Sequence, residues 1–182
     1  MVVDWGRSTN LTGHQTVGGV IRHLVVDALA LLAAIDGEIG AGREGGLIDL
    51  GSGAGFPGIP IAIARPALSV VLVDSRERRH HFQRAVRRQL SVANIEPRIG
   101  RIETLPPSPA GLVIAQAVAP PPRVLGWGIE WAEPGGFLVI PGGGEAPDPG
   151  SHPEVAEQGQ IAYAVPNHSA LRSFWWCRRS NR

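Results

Sequence analysis

The chain has 182 residues, of which 43% are hydrophobic, and a mean hydropathy near zero. It carries 17 basic residues, all of them arginine, and 16 acidic residues, so its formal net charge is only +1. This composition is typical of a single soluble domain with a sizeable core. It excludes a global attraction to nucleic acid and any lysine-dependent chemistry. The one cysteine, Cys177, excludes an internal disulfide and favours a cytoplasmic location.

The N-terminal part of the chain predicts a helical cap. Residues 1–16 are polar and turn-rich, whereas Val17 to Ile35 carries apolar residues at helical spacing. No signal-peptide pattern is visible, and the apolar segment Leu24 to Ile35 is too short to span a bilayer. We therefore expect a cap over residues 1–36, a single domain over residues 37–182, and no membrane partner.

The most informative stretch runs from Leu47 to Asp74 and predicts a strand, a glycine-rich turn, a short helix and a second strand. Asp49 lies in the first apolar run, and Asp74 follows the second, which is rich in β-branched residues. Such strands are typical of a parallel sheet that is buried on both faces. The glycines that let the backbone turn tightly and approach a ligand are Gly51, Gly53 and Gly55.

Two ligands fit this unit. The segment from Gly53 to Gly58 satisfies the G-x-G-x-x-G dinucleotide fingerprint. The overlapping D-x-G-x-G-x-G run from Asp49 suits S-adenosylmethionine better, because that cofactor carries no phosphate. Asp49 would accept a hydrogen bond from its ammonium group, and Asp74 from its ribose. The pattern favours a methyltransferase and leaves a nicotinamide-dependent dehydrogenase as the alternative.

A strongly basic helix is predicted from Arg76 to Leu90, where six arginines accompany the single acid Glu77. Phe82, Val86 and Leu90 recur every fourth residue and are expected to fix one face of the helix to the sheet. The opposite face is either a phosphate-binding strip or an ordinary solvated surface.

The rest of the chain predicts three further strands and a closing hairpin. The predicted segments are Arg98–Ile102, Leu112–Ala115, Phe137–Ile140, and the antiparallel pair Ile161–Val165 and Ser173–Cys177. Ligands of open α/β sheets bind beyond the carboxyl ends of the strands, so Ile102 and Glu103 should flank an adenine and Gln116 should face the reacting methyl group. A glycine- and proline-rich loop is expected from Gly142 to Pro153. The fold class is α/β, a Rossmann-like, doubly wound, mostly parallel sheet with a C-terminal antiparallel hairpin.

In this order the motifs resemble the bacterial small-subunit ribosomal RNA guanine-N7 methyltransferases, the GidB family, along nearly the whole chain. The most specific segment is DLGSGAGFPGIPIAIARP, from Asp49 to Pro66. The other segments that carry the resemblance are Trp5, Asn10-Leu11-Thr12, Arg22-His23 with Asp27, Leu72 to Phe82, Asn94, Arg101-Ile102-Glu103 and Phe137 to Gly142.

The resemblance implies a class I methyltransferase that moves a methyl group from S-adenosylmethionine to guanine N7 of 16S ribosomal RNA. The residues that match the family's cofactor contacts are Gly51, Phe56, Ile102 and Glu103, with Asp74 as the acid after the second strand. An aromatic ring such as Phe56 also attracts a sulfonium cation. The expected contacts with RNA phosphates are Arg22, Arg84, Arg87 and Arg88. The implied partner is 16S ribosomal RNA or the small ribosomal subunit, bound by a metal-free monomer.

Four departures from the family touch the substrate side. Gln116 stands where the family has an arginine, and Pro141 where it usually has a lysine. The spacing from His23 to Asp27 is one residue longer than usual. The N-terminal helical region that precedes the tryptophan in the family is expected to be missing. Gln116 and Arg123 are candidates for positioning the substrate. The departures keep two alternatives open, a cofactor-binding pseudoenzyme that docks on RNA or a protein, and a methyltransferase that acts on a small molecule.

Overall fold

The computed structural model describes residues 1–9, 11–41, 45–142, 146–148, 150 and 152–181. The helices in these ranges are α1 (Val2–Thr9), α2 (Val17–Glu38), α3 (Gly58–Ala64), α4 (Glu77–Gln89) and α5 (Pro121–Gly128), followed by a 3-10 turn at Ile129–Trp131. The strands are β1 (Leu47–Leu50), β2 (Val70–Asp74), β3 (Ile95–Ile99), β4 (Ala110–Ile114), β5 (Ala132–Pro141), β6 (Val155–Tyr163) and β7 (Arg172–Arg179). Asn10 and part of the loop predicted from Gly142 to Pro153 lie outside the described residues.

The strands form one sheet in the order β3-β2-β1-β4-β5-β7-β6. Strands β1 to β5 pair in parallel, and β7 pairs antiparallel with both β5 and β6. This arrangement confirms the predicted doubly wound sheet with its C-terminal hairpin. All four residues of β1 are buried, as expected for a central strand covered on both faces.

Two hydrophobic clusters hold the layers together. One cluster includes Ile35, Ile61 and Phe82, from α2, α3 and α4, packed with residues of the sheet. The other includes Leu125 and Trp131, from α5 and the turn after it. In β1, Leu47 belongs to the first cluster and Ile48 and Leu50 to the second, because side chains along a strand alternate between its faces. The helices therefore cover the sheet from both sides.

Residues 2–9 form a helix, so the prediction of a turn-rich N-terminal segment is wrong there. Trp5 packs edge-on against Phe82 of α4, with ring centroids 5.6 Å apart. A helix this short owes its stability to such tertiary contacts rather than to its own sequence. Periodicity within eight residues could not reveal a partner that lies more than seventy residues away.

The predicted helix from Val17 is present and contains a π-helical turn at Ile21–Val25. A π turn takes up one extra residue within a helix, and it lies where the resemblance implies one residue more than usual between His23 and Asp27. Beyond this turn Ala28, Leu31 and Ile35 are buried. The π turn therefore gives a structural reason why the extra residue does not displace the face that packs on the core.

Helix α2 is longer than its most apolar segment. By length and mean hydropathy (1.8) its 22 residues could cross a membrane, so the argument that the segment is too short does not apply to the whole helix. Length and composition are weak evidence, because a core helix of a globular domain passes the same test. Leu31, Leu32 and Ile35 of this helix belong to the hydrophobic core.

Several predicted boundaries are corrected. The third strand spans Ile95–Ile99 instead of Arg98–Ile102, and the fifth begins at Ala132 instead of Phe137. Both include prolines, which β3 tolerates because it is an edge strand. Leu90, predicted to face the sheet, lies just beyond α4 and is 55% exposed.

Candidate functional site

A cleft of about 330 Å³ opens at the carboxyl ends of the parallel strands β1 to β4. Ligands of open α/β sheets bind in this position. The predicted cofactor residues that line it are Gly51, Asp74, Ile102 and Glu103. Although β3 ends earlier than expected, Gly100 turns the chain with φ +155°, and the segment after it reaches the cleft. The contacts of these four residues with a cofactor stay a prediction.

The glycine turn after β1 is tightly packed at two of its three positions. Gly51, Gly53 and Gly55 all have positive φ, at 68°, 57° and 84°. A Cβ on Gly51 would lie 2.5 Å from Val118 Cγ2, and one on Gly55 would lie 2.1 Å from Ile59 Cδ1. A Cβ on Gly53 would meet no heavy atom closer than 3.8 Å. The turn therefore lacks side chains because of its neighbours at Gly51 and Gly55, and because of its backbone conformation at all three.

Asp74 lines the cleft and is only 4% exposed. Its Oδ2 accepts hydrogen bonds from the backbone N–H of Gly53 at 2.9 Å and from Arg79 Nη1 at 3.1 Å. Its Oδ1 accepts one from the backbone N–H of Arg76 at 2.8 Å. A carboxylate can accept about four hydrogen bonds. Asp74 can therefore fix the glycine turn and still accept a bond from a ligand hydroxyl.

Asp49 is not among the residues that line the cleft. It is 1% exposed, and its Oδ2 accepts a hydrogen bond from the backbone N–H of Gly58 at 2.9 Å. Its Oδ1 is buried with no hydrogen-bond partner, so neither oxygen is accessible to a cofactor ammonium group in this structure. The structure does not support the predicted direct contact. Asp49 instead positions the start of α3 below the turn.

Burial raises the pKa of Asp49 to about 7, with a smaller opposing effect of the Gly58 N–H and a small contribution of the Asp74 charge. The unfolded carboxyl has its ordinary value of 3.8, so the unfolded chain loses its proton first as pH rises. The folded state therefore loses stability between about pH 4 and pH 7, by up to about 4 kcal/mol.

We expect Asp49→Asn to remove this loss, because the amide oxygen can accept the Gly58 bond without titrating. Urea unfolding of the wild type and the variant from pH 4 to pH 8 gives the slope of the free energy of unfolding against pH for each protein, and the two slopes are compared. Asp4→Asn, at an exposed carboxyl, is the matched control and should retain the steep slope. Parallel pH profiles for wild type and Asp49→Asn would contradict the raised pKa.

A buried glutamine below the glycine turn was missed by the sequence analysis. Gln83 is fully buried, and its Nε2 donates hydrogen bonds to Ser52 Oγ at 2.8 Å and to the Gly53 carbonyl oxygen at 2.9 Å. It follows Arg79 by four residues, so both lie on the face of α4 that points to the turn. The sequence signal for this role was the four-residue spacing of Arg79 and Gln83 in the helix that follows Asp74. The many other arginines of the helix obscured it.

The cleft also contains residues that the sequence analysis did not assign to it. Those with cationic or aromatic side chains are Arg76, Arg79, Arg101 and Trp127. Arg123, a predicted positioning residue, does not line the cleft, but its guanidinium carbon lies 4.8 Å from the centroid of Trp127. This contact is a cation–π interaction. Arg123 therefore acts on the cleft through Trp127.

Two predicted site residues lie elsewhere. Phe56 lines an apolar hollow between α1, α2, α3 and α4, so the structure does not support a contact between its ring and a sulfonium in the cleft. Gln116 follows β4 and is half-buried, but the residues that line the cleft at this point are Ala117 and Val118. Ala117 has a positive φ of 53°, which turns the chain between them.

The four arginines predicted to contact RNA are all exposed, but they do not share one surface. Arg84 and Arg88 line a groove of about 640 Å³ between α1 and α4, together with Trp5 and His81. Arg87 does not line this groove, and Arg22 belongs to α2. Because a helix rises 1.5 Å per residue, Arg88 lies about 16 Å along α4 from its start at the cleft.

The fold is that of the Rossmann-like methyltransferases among solved structures. A methyltransferase from Aquifex aeolicus superposes with a TM-score of 0.61 at 15% identity, over 88% of this chain and 92% of that one. Magnesium protoporphyrin IX methyltransferase from Synechocystis superposes with a TM-score of 0.58 at 17% identity, over 98% and 95%. At these identities the likeness concerns the fold.

The chain belongs to the GidB family, described as rRNA small subunit methyltransferase G, whose model matches residues 1–156. The chain is similar to the proteins of that name from Legionella pneumophila and Desulfitobacterium hafniense. The first is 36% identical over 124 residues, which are 68% of this chain and 56% of the relative. The second is 32% identical over 150 residues, 80% of this chain and 60% of the relative. The chain thus spans little more than half the length of these relatives.

Proposed function

We propose that this chain is an S-adenosylmethionine-dependent methyltransferase that modifies N7 of a guanine in 16S ribosomal RNA. The observation that carries the proposal is its membership of the GidB family, combined with a cleft in which an acid and a glycine turn meet. Relatives of this family carry the name ribosomal RNA small subunit methyltransferase G. The fingerprint alone would also fit a dinucleotide, and the family membership favours the methyl donor.

The cleft is suited to the adenosine part of the cofactor. Asp74 has spare acceptor capacity at the edge of the cleft for ribose hydroxyls. The backbone at Gly51 can approach a ligand closely, and Ile102 with Trp127 offers apolar and aromatic surface for an adenine. Glu103, which follows Ile102, can accept a hydrogen bond from the adenine.

The reaction requires little acid–base catalysis from the protein. Bound S-adenosylmethionine supplies an electrophilic methyl group on its sulfonium. Guanine N7 already carries a free lone pair, so no side chain has to remove a proton before attack. The residues of the cleft would hold the two reactants in line, and orientation of this kind can supply roughly 7–11 kcal/mol at best. N7 is hidden in the narrow groove of paired RNA, so we expect a guanine in a loop or one swung out of its stack.

The setting of the activity is part of the proposal. Ribosomal RNA as the substrate implies a cytoplasmic protein, and we propose that it acts as a monomer on 16S ribosomal RNA or on the small ribosomal subunit, without a metal. Residues 1–36 would cap the methyltransferase domain of residues 37–182, to which Leu31 and Ile35 attach them.

A second candidate is a pseudoenzyme that binds cofactor and RNA without transferring a methyl group. Gln116 and Pro141 favour it, because neither supplies a cation at positions where the family has one. Pro141 pairs with Phe174 inside the sheet. Arg101 and the Arg123–Trp127 pair lie close enough to the cleft to provide positive charge instead.

Calorimetric titration and mass spectrometry test the proposal. We expect binding of S-adenosylmethionine and none of NADH, and the reverse result would make the chain a dehydrogenase. We also expect 16S ribosomal RNA from a deletion strain to gain one methylguanine after incubation with the protein and cofactor. Cofactor and RNA binding without methylation would favour the pseudoenzyme. Methylation of a small molecule in place of RNA would show that the enzyme acts on a different class of substrate.

We expect Arg84→Glu combined with Arg88→Glu to weaken RNA binding and to flatten its dependence on salt. Each lost phosphate contact should reduce the slope of log affinity against log salt by about 0.7 for single-stranded RNA. Filter binding across a salt series measures both. Arg87→Glu is the matched control, because it makes the same charge change outside the groove. If each charge reversal weakened RNA binding equally at all three positions, the groove would not be a specific RNA contact, and the effect would come from general electrostatics.

A further inference from the structure

Three histidines meet where the N-terminal segment, α2 and the β6–β7 connection come together. The rings of His14 and His23 stack with centroids 4.9 Å apart and planes at 14°. His168 meets His23 edge-on, with centroids 5.6 Å apart and planes at 82°. All three side chains are half-buried, so each keeps part of its surface open to a ligand.

The charges around this histidine cluster are mostly positive. Arg22, on the same helix, and Arg172, on β7, both act electrostatically on His23. The nearby acid is Asp27, whose Oδ1 lies 3.6 Å from Arg172 Nε. Tyr163 stays neutral, because burial and then the charge of Asp27 raise its pKa. Within the described part of the chain, no ion pair joins a carboxylate to these three imidazoles.

The cluster lies at the same edge of the sheet as the cleft. Asp27, in the first half of α2, lies 3.6 Å from Arg172 at the start of β7, so this part of the helix lies beside the start of β7. Pro141, the last residue of β5, pairs with Phe174, so Arg172 and the hairpin loop also lie at this edge. Beside His14 a hollow of about 420 Å³ is lined by Arg7, and by Thr12 and Gln15. The arginines at the far end of α4, in contrast, lie away from this edge.

His23 is poised to gain charge when an anion binds. Partial burial lowers the pKa of His23, followed by the positive charges of its neighbours His14, His168, Arg22 and Arg172. A phosphate among these groups would reverse the local field and favour the protonated imidazole. Arg22 and Arg172 beside His23 are cationic, so an anion rather than a cation suits the cluster.

We propose that His14, His23 and His168, together with Arg22 and Arg172, form a binding site for a phosphodiester of the substrate RNA, and that binding there takes up protons. The proposal rests on the proposed RNA methylation. It gives the chain positive charge on the side where Gln116 and Pro141 replace two cations of the family. That charge depends on pH, whereas an arginine or lysine would supply it at any pH.

The test is RNA binding at pH 6 and pH 8, measured by fluorescence anisotropy with a labelled single-stranded RNA that contains a guanine. We expect the wild type to bind about tenfold more tightly at pH 6 than at pH 8, which corresponds to an uptake of about half a proton averaged over these two pH units. His14→Asn combined with His168→Asn should reduce this ratio to about twofold or less. His168→Arg should bind at pH 8 about as tightly as the wild type does at pH 6, because its charge is permanent.

His152→Asn is the matched control and should keep the ratio of the wild type, because His152 contacts Glu154 at 3.2 Å outside the cluster. His80 and His81 are present in every variant, so the difference between variants isolates the cluster. Unchanged calorimetric binding of S-adenosylmethionine confirms that each variant is folded. RNA binding with the same pH ratio in wild type and double variant would overturn the site and leave the proposed function intact. Absence of RNA binding at both pH values would overturn both.

Discussion

Replacing Asp74 with alanine is expected to weaken binding of S-adenosylmethionine by roughly 1–3 kcal/mol, because the acceptor for the ribose hydroxyls is lost. The substitution also removes the partner of three donors, the N–H groups of Gly53 and Arg76 and the guanidinium of Arg79. The glycine turn would lose its bond from Gly53 to β2 and keep the one from the Ser52 N–H to the Val73 carbonyl oxygen. The effect on the cofactor should therefore lie at the upper end of this range. Isothermal titration with the cofactor measures it directly.

Two further variants separate the roles of this carboxylate. Arg79→Gln removes the ion pair and keeps both Asp74 oxygens, so it should cost less affinity than Asp74→Ala. Asp74→Asn keeps one oxygen as acceptor but turns an amide N–H₂ toward donors that need an acceptor. We expect an intermediate loss, with a lower urea midpoint. If folded Asp74→Ala binds the cofactor as tightly as the wild type, the assignment of the ribose contact is wrong.

The parts of the site that could be predicted from sequence are those encoded by neighbouring residues. The glycine turn and Asp74 lie within one strand–turn–helix–strand unit, so their spacing fixes their approximate positions. Arg79 and Gln83 are as close in sequence, but arginines on every side of α4 concealed which face points to the turn. Trp127 reaches the cleft through the pairing of β4 with β1, a long-range contact that no local pattern encodes.

The predicted strand boundaries were wrong where the sequence was interpreted without the tertiary context. The third strand was predicted to begin at Arg98, but in the structure it includes Pro97, a residue type that disfavours strands. As the edge of the sheet, β3 has no neighbour on one side, so a missing N–H there costs nothing. In β5, the register shift between Ala110 and Leu112 of β4 accommodates Pro134 and Gly135. Both exceptions depend on which strand is the neighbour.

Asp49 illustrates how a motif can be recognised while the role of one residue in it is misjudged. Its position before the glycines suggested an acceptor for the ammonium group of the cofactor. The residue is 1% exposed and hydrogen-bonds Gly58 instead. Sequence spacing locates the residue at the turn, but it cannot say whether the side chain points to the ligand or below the turn.

The close packing at Gly58 leads to the largest loss of stability expected from a single substitution. A Cβ at this position would lie 2.4 Å from Leu72 Cδ2 and 2.8 Å from Asp49 Oδ2. Both neighbours are buried and pair with each other across β1 and β2, so neither can move aside. Gly58→Ala should therefore cost about 3 kcal/mol, from overpacking and from distortion of the Gly58–Asp49 hydrogen bond. Gly58→Val should cost more.

Equilibrium unfolding in urea measures this cost, with Gly6→Ala as the matched control. Gly6 lies in α1, and a Cβ there would meet no heavy atom within 4 Å. Its replacement should be neutral or stabilise the protein by up to about 1 kcal/mol, the difference in helix propensity. The same added methyl group thus has opposite signs at the two positions. Equal unfolding midpoints for Gly58→Ala and the wild type would mean that α3 can move away from β1 and β2, and Asp49 would then lose its role of holding the turn in place.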